Sequence, residues 1–162
     1  MARIDEHRNI LAFLDMLAWS EGTSTHPHTR DDGYDVIVNG DDGDPRPNIM
    51  TSYARHPNTL VKVNANLKST AAGRYQLLNR YYGPYARMLR LNDFSPVSQD
   101  RIAVRQIMEQ HAYNDICEGR ITQAIRKCGN IWASLPNNSY GQKKHSEAAL
   151  LDKYREFGGS GQ

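Results

Sequence analysis

The chain has 162 residues and a mass of 18.4 kDa, long enough for one domain with its own core and too short for several. A mean hydropathy of -0.70, with 39% hydrophobic residues and no apolar run near the ~20 residues of a bilayer span, describes a soluble globular chain. The formal charge of +2 demands no nucleic-acid partner, and the charged stretch MARIDEHR at residues 1–8 does not read as a secretory leader.

From about Asp5 to Glu21 the pattern is helical, with Ile10, Leu14 and Leu17 recurring at three- and four-residue steps and Gly22 as terminator. The stretch from Thr23 to Lys68 holds most of the Pro, Gly and Asp, and its run Tyr34 to Val38 ends on Asn39-Gly40, a strong two-residue hairpin signal. This predicts a small β-lobe with long loops. Ser69 is a good N-cap for a helix running through Tyr75 to Tyr82, which Gly83-Pro84 is expected to break or bend. Ser95-Pro96 opens a further helix over about Val97 to His111, and a shorter one covers Ile121 to Cys128. Leu135 to Gln142 is a loop, Ser146 to Phe157 a last helix, and residues 158–162 a flexible tail. The predicted architecture is α+β, a single domain over residues 1–157 without repeats. Trp19 and Trp132, among apolar neighbours, are expected in the core, and Cys117 and Cys128 are expected as thiols.

Glu21 is the residue that looks chemical. It continues the apolar stripe of the first helix, where a carboxylate is expensive to desolvate, and it sits at the negative end of the helix dipole. Both effects favour the protonated form and fit a general acid. A surface glutamate closing a frayed helix is the alternative from spacing alone.

The surrounding blocks carry a likeness. LDMLAWSEGT at 14–23, GYDVIV at 33–38, LKSTAAGRYQLL at 67–78, DFSP at 93–96, NIWASLP at 130–136 and YGQ at 140–142 resemble, in order, the lambda phage endolysin family, whose fold is lysozyme-like. The resemblance implies a lytic transglycosylase cutting the MurNAc-β-1,4-GlcNAc bond of peptidoglycan to leave 1,6-anhydro-MurNAc, with Glu21 as acid and base. It implies sugar contacts from Ser69, Gly73, Tyr75, Gln76, Tyr140 and Gln142, where Gly73 at a helix start would let a sugar approach the backbone. It implies no cofactor or metal, a monomer without stable membrane binding, and residence in the host cytoplasm until a holin permits access to the wall. The loop at residues 41–57 departs from the family pattern.

Three rival readings come from other residues. A hydrolytic lysozyme needs a second carboxylate, for which Asp35 is the candidate, although a turn-stabilising role suits it as well. A zinc amidase would draw on His26 and His28, but no His-Glu-x-x-His motif is present. A nucleic-acid module would use Arg74, Arg80, Arg87, Arg90, Arg101 and Arg105, without any recognised signature.

Overall fold

The first helix, α1 (Arg8–Ser20), forms where the stripe predicts it, and Ile10, Phe13, Leu14, Met16, Leu17 and Ala18 are fully buried along it. Its N-cap is His7, whose Nδ1 accepts the Asn9 N–H at 3.0 Å. A computed structural model describes residues 1–40, 48–136 and 145–161. These gather into two compact units, one of residues 1–21 and 103–162, the other of residues 22–102.

In the first unit α1 packs on α4 (Tyr113–Cys117) and α6 (Glu147–Glu156), and α5 (Ile121–Cys128) packs on both of these. α5 and α6 match the predicted spans, and the Ser146 hydroxyl caps α6 by accepting the Ala149 N–H. α4 carries no sequence signal, since five residues are too few to show a period. The glycine-rich C-terminus, expected as a flexible tail, is tied down. Asn9 Oδ1 accepts the Ser160 N–H at 3.1 Å, and the Tyr154 hydroxyl donates to the Ser160 carbonyl at 2.8 Å. Gly159 lies on the Tyr154 ring so closely that a Cβ would overlap it.

The second unit holds β1 (Val61–Asn64) and β2 (Leu67–Ser69), an antiparallel hairpin with Lys62 opposite Lys68, followed by α2 (Asn79–Leu89) and the start of α3 (Pro96–Glu109). Ile37, Met50, Val61, Ala72, Leu77, Phe94 and Ile102 form its core. The predicted strand at residues 34–38 is reduced to single bridges, Val36 to Ile49 and Ile37 to Ala72. Ile37 N–H bonds Asn48 O and Met50 N–H bonds Asp35 O, each at 2.7 Å, so the pairing partners lie too far along the chain for Asn39-Gly40 to be a two-residue turn. Asn39 is held instead by its side chain, which accepts from Asn48 and contacts His26.

The helix expected from Ser69 begins ten residues later, at Asn79. Ser69 is paired in β2, and Gly73 (φ 85°) and Gln76 (φ 54°) are left-handed, which no helix tolerates. Thr70 Oγ1 rather than Ser69 accepts the first helical N–H, that of Asn79, at 3.0 Å. α2 then runs unbroken through Gly83-Pro84. Pro84 and Arg80 are exposed, so this proline stands on the solvent side of the helix, where the carbonyl it leaves without a donor costs least.

A polar network fills the interior of this unit. Arg74 is buried, with Nε donating to the Asp32 carbonyl at 2.9 Å, Nη2 on the Asp32 carboxylate at 3.2 Å and Nη1 on the Tyr75 hydroxyl at 3.0 Å. The Tyr34 and Tyr75 hydroxyls both donate to Asp100 Oδ1, at 2.8 and 2.6 Å. Gln99 closes the network, accepting the Arg74 N–H and donating to the Tyr34 and Phe94 carbonyls. Gly73 makes room for it: a Cβ there would lie 2.5 Å from Gln99 Oε1 and 2.9 Å from the Phe94 ring. Gly73→Ala is expected to lower the unfolding free energy by about 2–4 kcal/mol, through a strained φ and overpacking together. Urea denaturation measures this, and a loss below about 1 kcal/mol would show that Gln99 moves aside freely.

Candidate active site

Glu21 is the C-cap of α1, its N–H bonded to the Leu17 carbonyl at 2.8 Å. The residue keeps some exposed surface, but its carboxyl is crowded by protein atoms. Desolvation pushes its pKa up from 4.5 to about 7, against a hydrogen bond from Ser134 that favours the ionised form. The free carbonyls of the helix end add their negative potential to the desolvation. The carboxyl is therefore poised between acid and base at neutral pH, as proton transfer in both directions requires.

The surroundings of Glu21 within this unit come from distant parts of the chain. Ser134 Oγ lies 2.7 Å from Ser20 Oγ, so one buried hydroxyl serves two successive residues of the helix end. His145 Nε2 is 3.2 Å from the Ser20 carbonyl, and its ring stacks on Trp19 with centroids 4.4 Å apart. Lys153 Nζ covers the same indole at 5.4 Å. Trp19 is thus half-buried in a stack rather than in the core, whereas Trp132 is buried as expected. The sequence presents Ser20 and Ser134 only as members of motifs and gives no sign of His145. An isolated serine more than a hundred residues from Glu21 carries no local signal.

The other candidates fall in the second unit or outside the described residues. Asp35 is buried, with Oδ1 accepting from Thr29 Oγ1 at 2.5 Å and Oδ2 from the Arg30 N–H at 2.9 Å, the arrangement of a carboxylate that fastens a turn. Tyr75 is only 5% exposed and its hydroxyl is committed to Asp100, so its ring offers no face to a sugar. Gly73 lies in a turn, not at a helix start, and its lack of a side chain is required by Gln99. Gln76 is half-buried, its amide donating to the Gly73 carbonyl at 3.0 Å, and Ser69 is half-buried, accepting the Ala71 N–H. Tyr140 and Gln142 lie outside the described residues.

Both ring nitrogens of His26 are engaged, Nδ1 by the His28 N–H and Nε2 by the Asn39 and Asn48 side chains, which leaves no free ligand pair with His28. Among the described residues no three His, Cys, Asp or Glu side chains gather as a metal site. Arg74 of the suggested basic face is interior, whereas Arg80, Arg87, Arg90, Arg101 and Arg105 are exposed. Cys117 and Cys128 are both free thiols, and burial pushes Cys128 up to about 12.

Comparison with known proteins agrees with this fold along the whole chain. The endolysin from Escherichia phage P2 is 51% identical over 164 aligned residues, covering 98% of each chain. The endolysin from Escherichia phage lambda is 50% identical, covering 99% of this chain and 96% of its own. The structure of bacteriophage lambda lysozyme complexed with a chitohexasaccharide superposes with a TM-score of 0.89 at 48% identity, covering 99% of this chain and all of that one. A second lambda lysozyme structure gives a TM-score of 0.86 at 47% identity, over 99% of this chain and all of the other. The fold is α+β and lysozyme-like, and with the endolysin family model matching residues 11–161, the chain belongs to the endolysin family.

Proposed function

We propose that this endolysin is a peptidoglycan lytic transglycosylase, cutting the bond between N-acetylmuramic acid and N-acetylglucosamine with Glu21 as its one acid/base. The observation that carries the reading is the desolvated carboxyl at the end of α1, with a pKa of about 7. Protonated, Glu21 gives its proton to the glycosidic oxygen as the C1–O bond breaks. Ionised, it then takes the proton from the C6 hydroxyl of the same muramic residue, whose oxygen bonds to C1 and closes the 1,6-anhydro ring. The glycan loses one linkage and no water is consumed. Because the nucleophile belongs to the substrate, the attack gains the effective molarity of an intramolecular reaction and needs no second carboxylate.

The commitment of both Asp35 oxygens to Thr29 and Arg30 supports this reading over a hydrolytic muramidase, in which Asp35 would serve as nucleophile or base. Mass spectrometry of the soluble products decides between them. Muropeptides ending in 1,6-anhydro-muramic acid, lighter by one water, are expected, and Asp35→Asn is expected to retain most of the rate wherever it folds. Reducing muramic ends together with an Asp35→Asn loss as deep as that of Glu21→Gln would establish hydrolysis instead.

Ser69, Gln76, Tyr140 and Gln142 are proposed as glycan contacts, and action on the wall is proposed to follow holin-mediated release from the host cytoplasm. Glu21 ionisation sets the alkaline limb of the pH profile: kcat/KM is expected to fall about tenfold per pH unit above pH 7. Ser134→Ala removes a donor that favours the carboxylate, so this limb should move to higher pH. An unmoved limb would mean that another group controls it.

A further inference from the structure

The small net charge of the chain conceals a strong asymmetry. Between Asn48 and Asn92 there is no aspartate or glutamate, while seven Lys and Arg residues from Arg55 to Arg90 stand against +2 for the whole chain. Arg74 is buried and paired with Asp32, and the other six are exposed. Large apolar side chains stand in water within the same stretch: Leu60 at 54%, Leu67 at 43%, Tyr81 at 44% and Met88 at 51% exposure.

Two elements of the second unit carry this combination. In the β1–β2 hairpin Lys62 and Lys68 are direct cross-strand partners, so both ammonium groups leave the same side of the ribbon. Like charges in that relation repel, and an anionic surface laid against them would turn the repulsion into attraction. In α2 the spacing places Arg80, Tyr81, Pro84, Arg87 and Met88 on one exposed face, while Tyr82, Tyr85 and Leu89 meet the core from the other. No residue of α2 is acidic, and none is fully buried. The Arg80 guanidinium lies 4.9 Å from the centre of the Tyr81 ring.

We propose that the exposed face of α2 docks this protein reversibly on an anionic phospholipid bilayer. The guanidinium forks of Arg80 and Arg87 match headgroup phosphates, the Tyr81 ring suits the headgroup level, and Met88 reaches the acyl boundary. The apolar members decide the partner. A hydrated polymer of sugars and peptide carboxylates would use the cations but gain nothing from Met88. Among the described residues no helix is long and apolar enough to cross a membrane, so the attachment is peripheral and weakened by salt.

Co-sedimentation of the full chain with vesicles tests this. The protein is expected to bind vesicles mixing phosphatidylglycerol with phosphatidylcholine, to ignore pure phosphatidylcholine, and to be released by raised ionic strength. R80Q/R87Q should weaken vesicle binding about 30-fold, and M88S roughly tenfold. Both variants should keep the wild-type circular dichroism and rate of peptidoglycan solubilisation. Equal binding to the two vesicle types, or none to anionic vesicles at low ionic strength, overturns the proposal. So does an R80Q/R87Q variant that loses retention on purified peptidoglycan while keeping its affinity for vesicles, since its cations would then belong to the wall. Vesicle binding requires no glycan cleavage, so this inference and the transglycosylase reading fail independently.

Discussion

Glu21→Gln is expected to lower the initial rate of peptidoglycan solubilisation by about 10³-fold, within the usual range for loss of a positioned proton donor. The same substitution is expected to stabilise the protein. Glu21 titrates at about 7 in the folded chain against 4.5 ordinarily. Below that lower value the carboxyl is protonated both folded and unfolded, and nothing is lost. As the pH rises from 4.5 to 7, the unfolded chain releases this proton while the folded chain retains it, so stability falls. Above pH 7 the penalty levels off, at no more than about 3 kcal/mol. Glutamine cannot ionise, so the variant escapes the penalty while filling the same space. Thermal unfolding of both proteins at pH 4 and pH 8 checks this, and a stability difference equal at the two values would contradict a desolvated carboxyl.

Arg74→Ala is expected to cost about 3–5 kcal/mol, the usual consequence of deleting one partner of a buried charge network. The loss has three physical parts. A long side chain leaves a cavity, the Asp32 carbonyl and the Tyr75 hydroxyl lose their donor, and the Tyr34 ring loses the cation 5.0 Å from its centre. Arg74→Lys should recover only part of this, since an ammonium group cannot reproduce the spread of contacts from Nε, Nη1 and Nη2. Urea denaturation midpoints rank the three proteins. A loss below about 1 kcal/mol for alanine would show that the network rearranges around the gap.

The parts of this fold legible in the sequence are those whose signal is local. α1, α5 and α6 each carry an apolar period with a cap or terminator, and Ser95-Pro96 marks the start of α3. Glu21 was readable for the same reason, as a carboxylate on an apolar stripe. The failures are positions where distant residues decide. Ser69 has the chemistry of an N-cap, but pairing with Val61 holds it in a strand. Residues 34–38 have strand composition, yet their partners are Asn48 to Met50 and Ala72, so the two-residue hairpin turn does not form at Asn39-Gly40. Tyr75 reads as a sugar platform until Asp100, twenty-five residues on, claims its hydroxyl. Gly73 reads in the sequence as room for a sugar, and the close approach that the structure shows there is that of Gln99 of the protein itself.

The first unit joins residues 1–21 to residues 103–162, and this has a consequence for biosynthesis. A ribosome releases α1, with six fully buried apolar side chains, more than a hundred residues before Ser134 and α6 exist. At about 5–20 residues per second several seconds or more pass before α4, a partner of this helix in its own unit, follows it. Over that interval the apolar face of α1 lacks the packing that buries it in the folded unit, and the Ser134 hydrogen bond to Glu21 has not formed. The unit is closed only when Ser160 fastens onto Asn9, which ties its two segments of chain together.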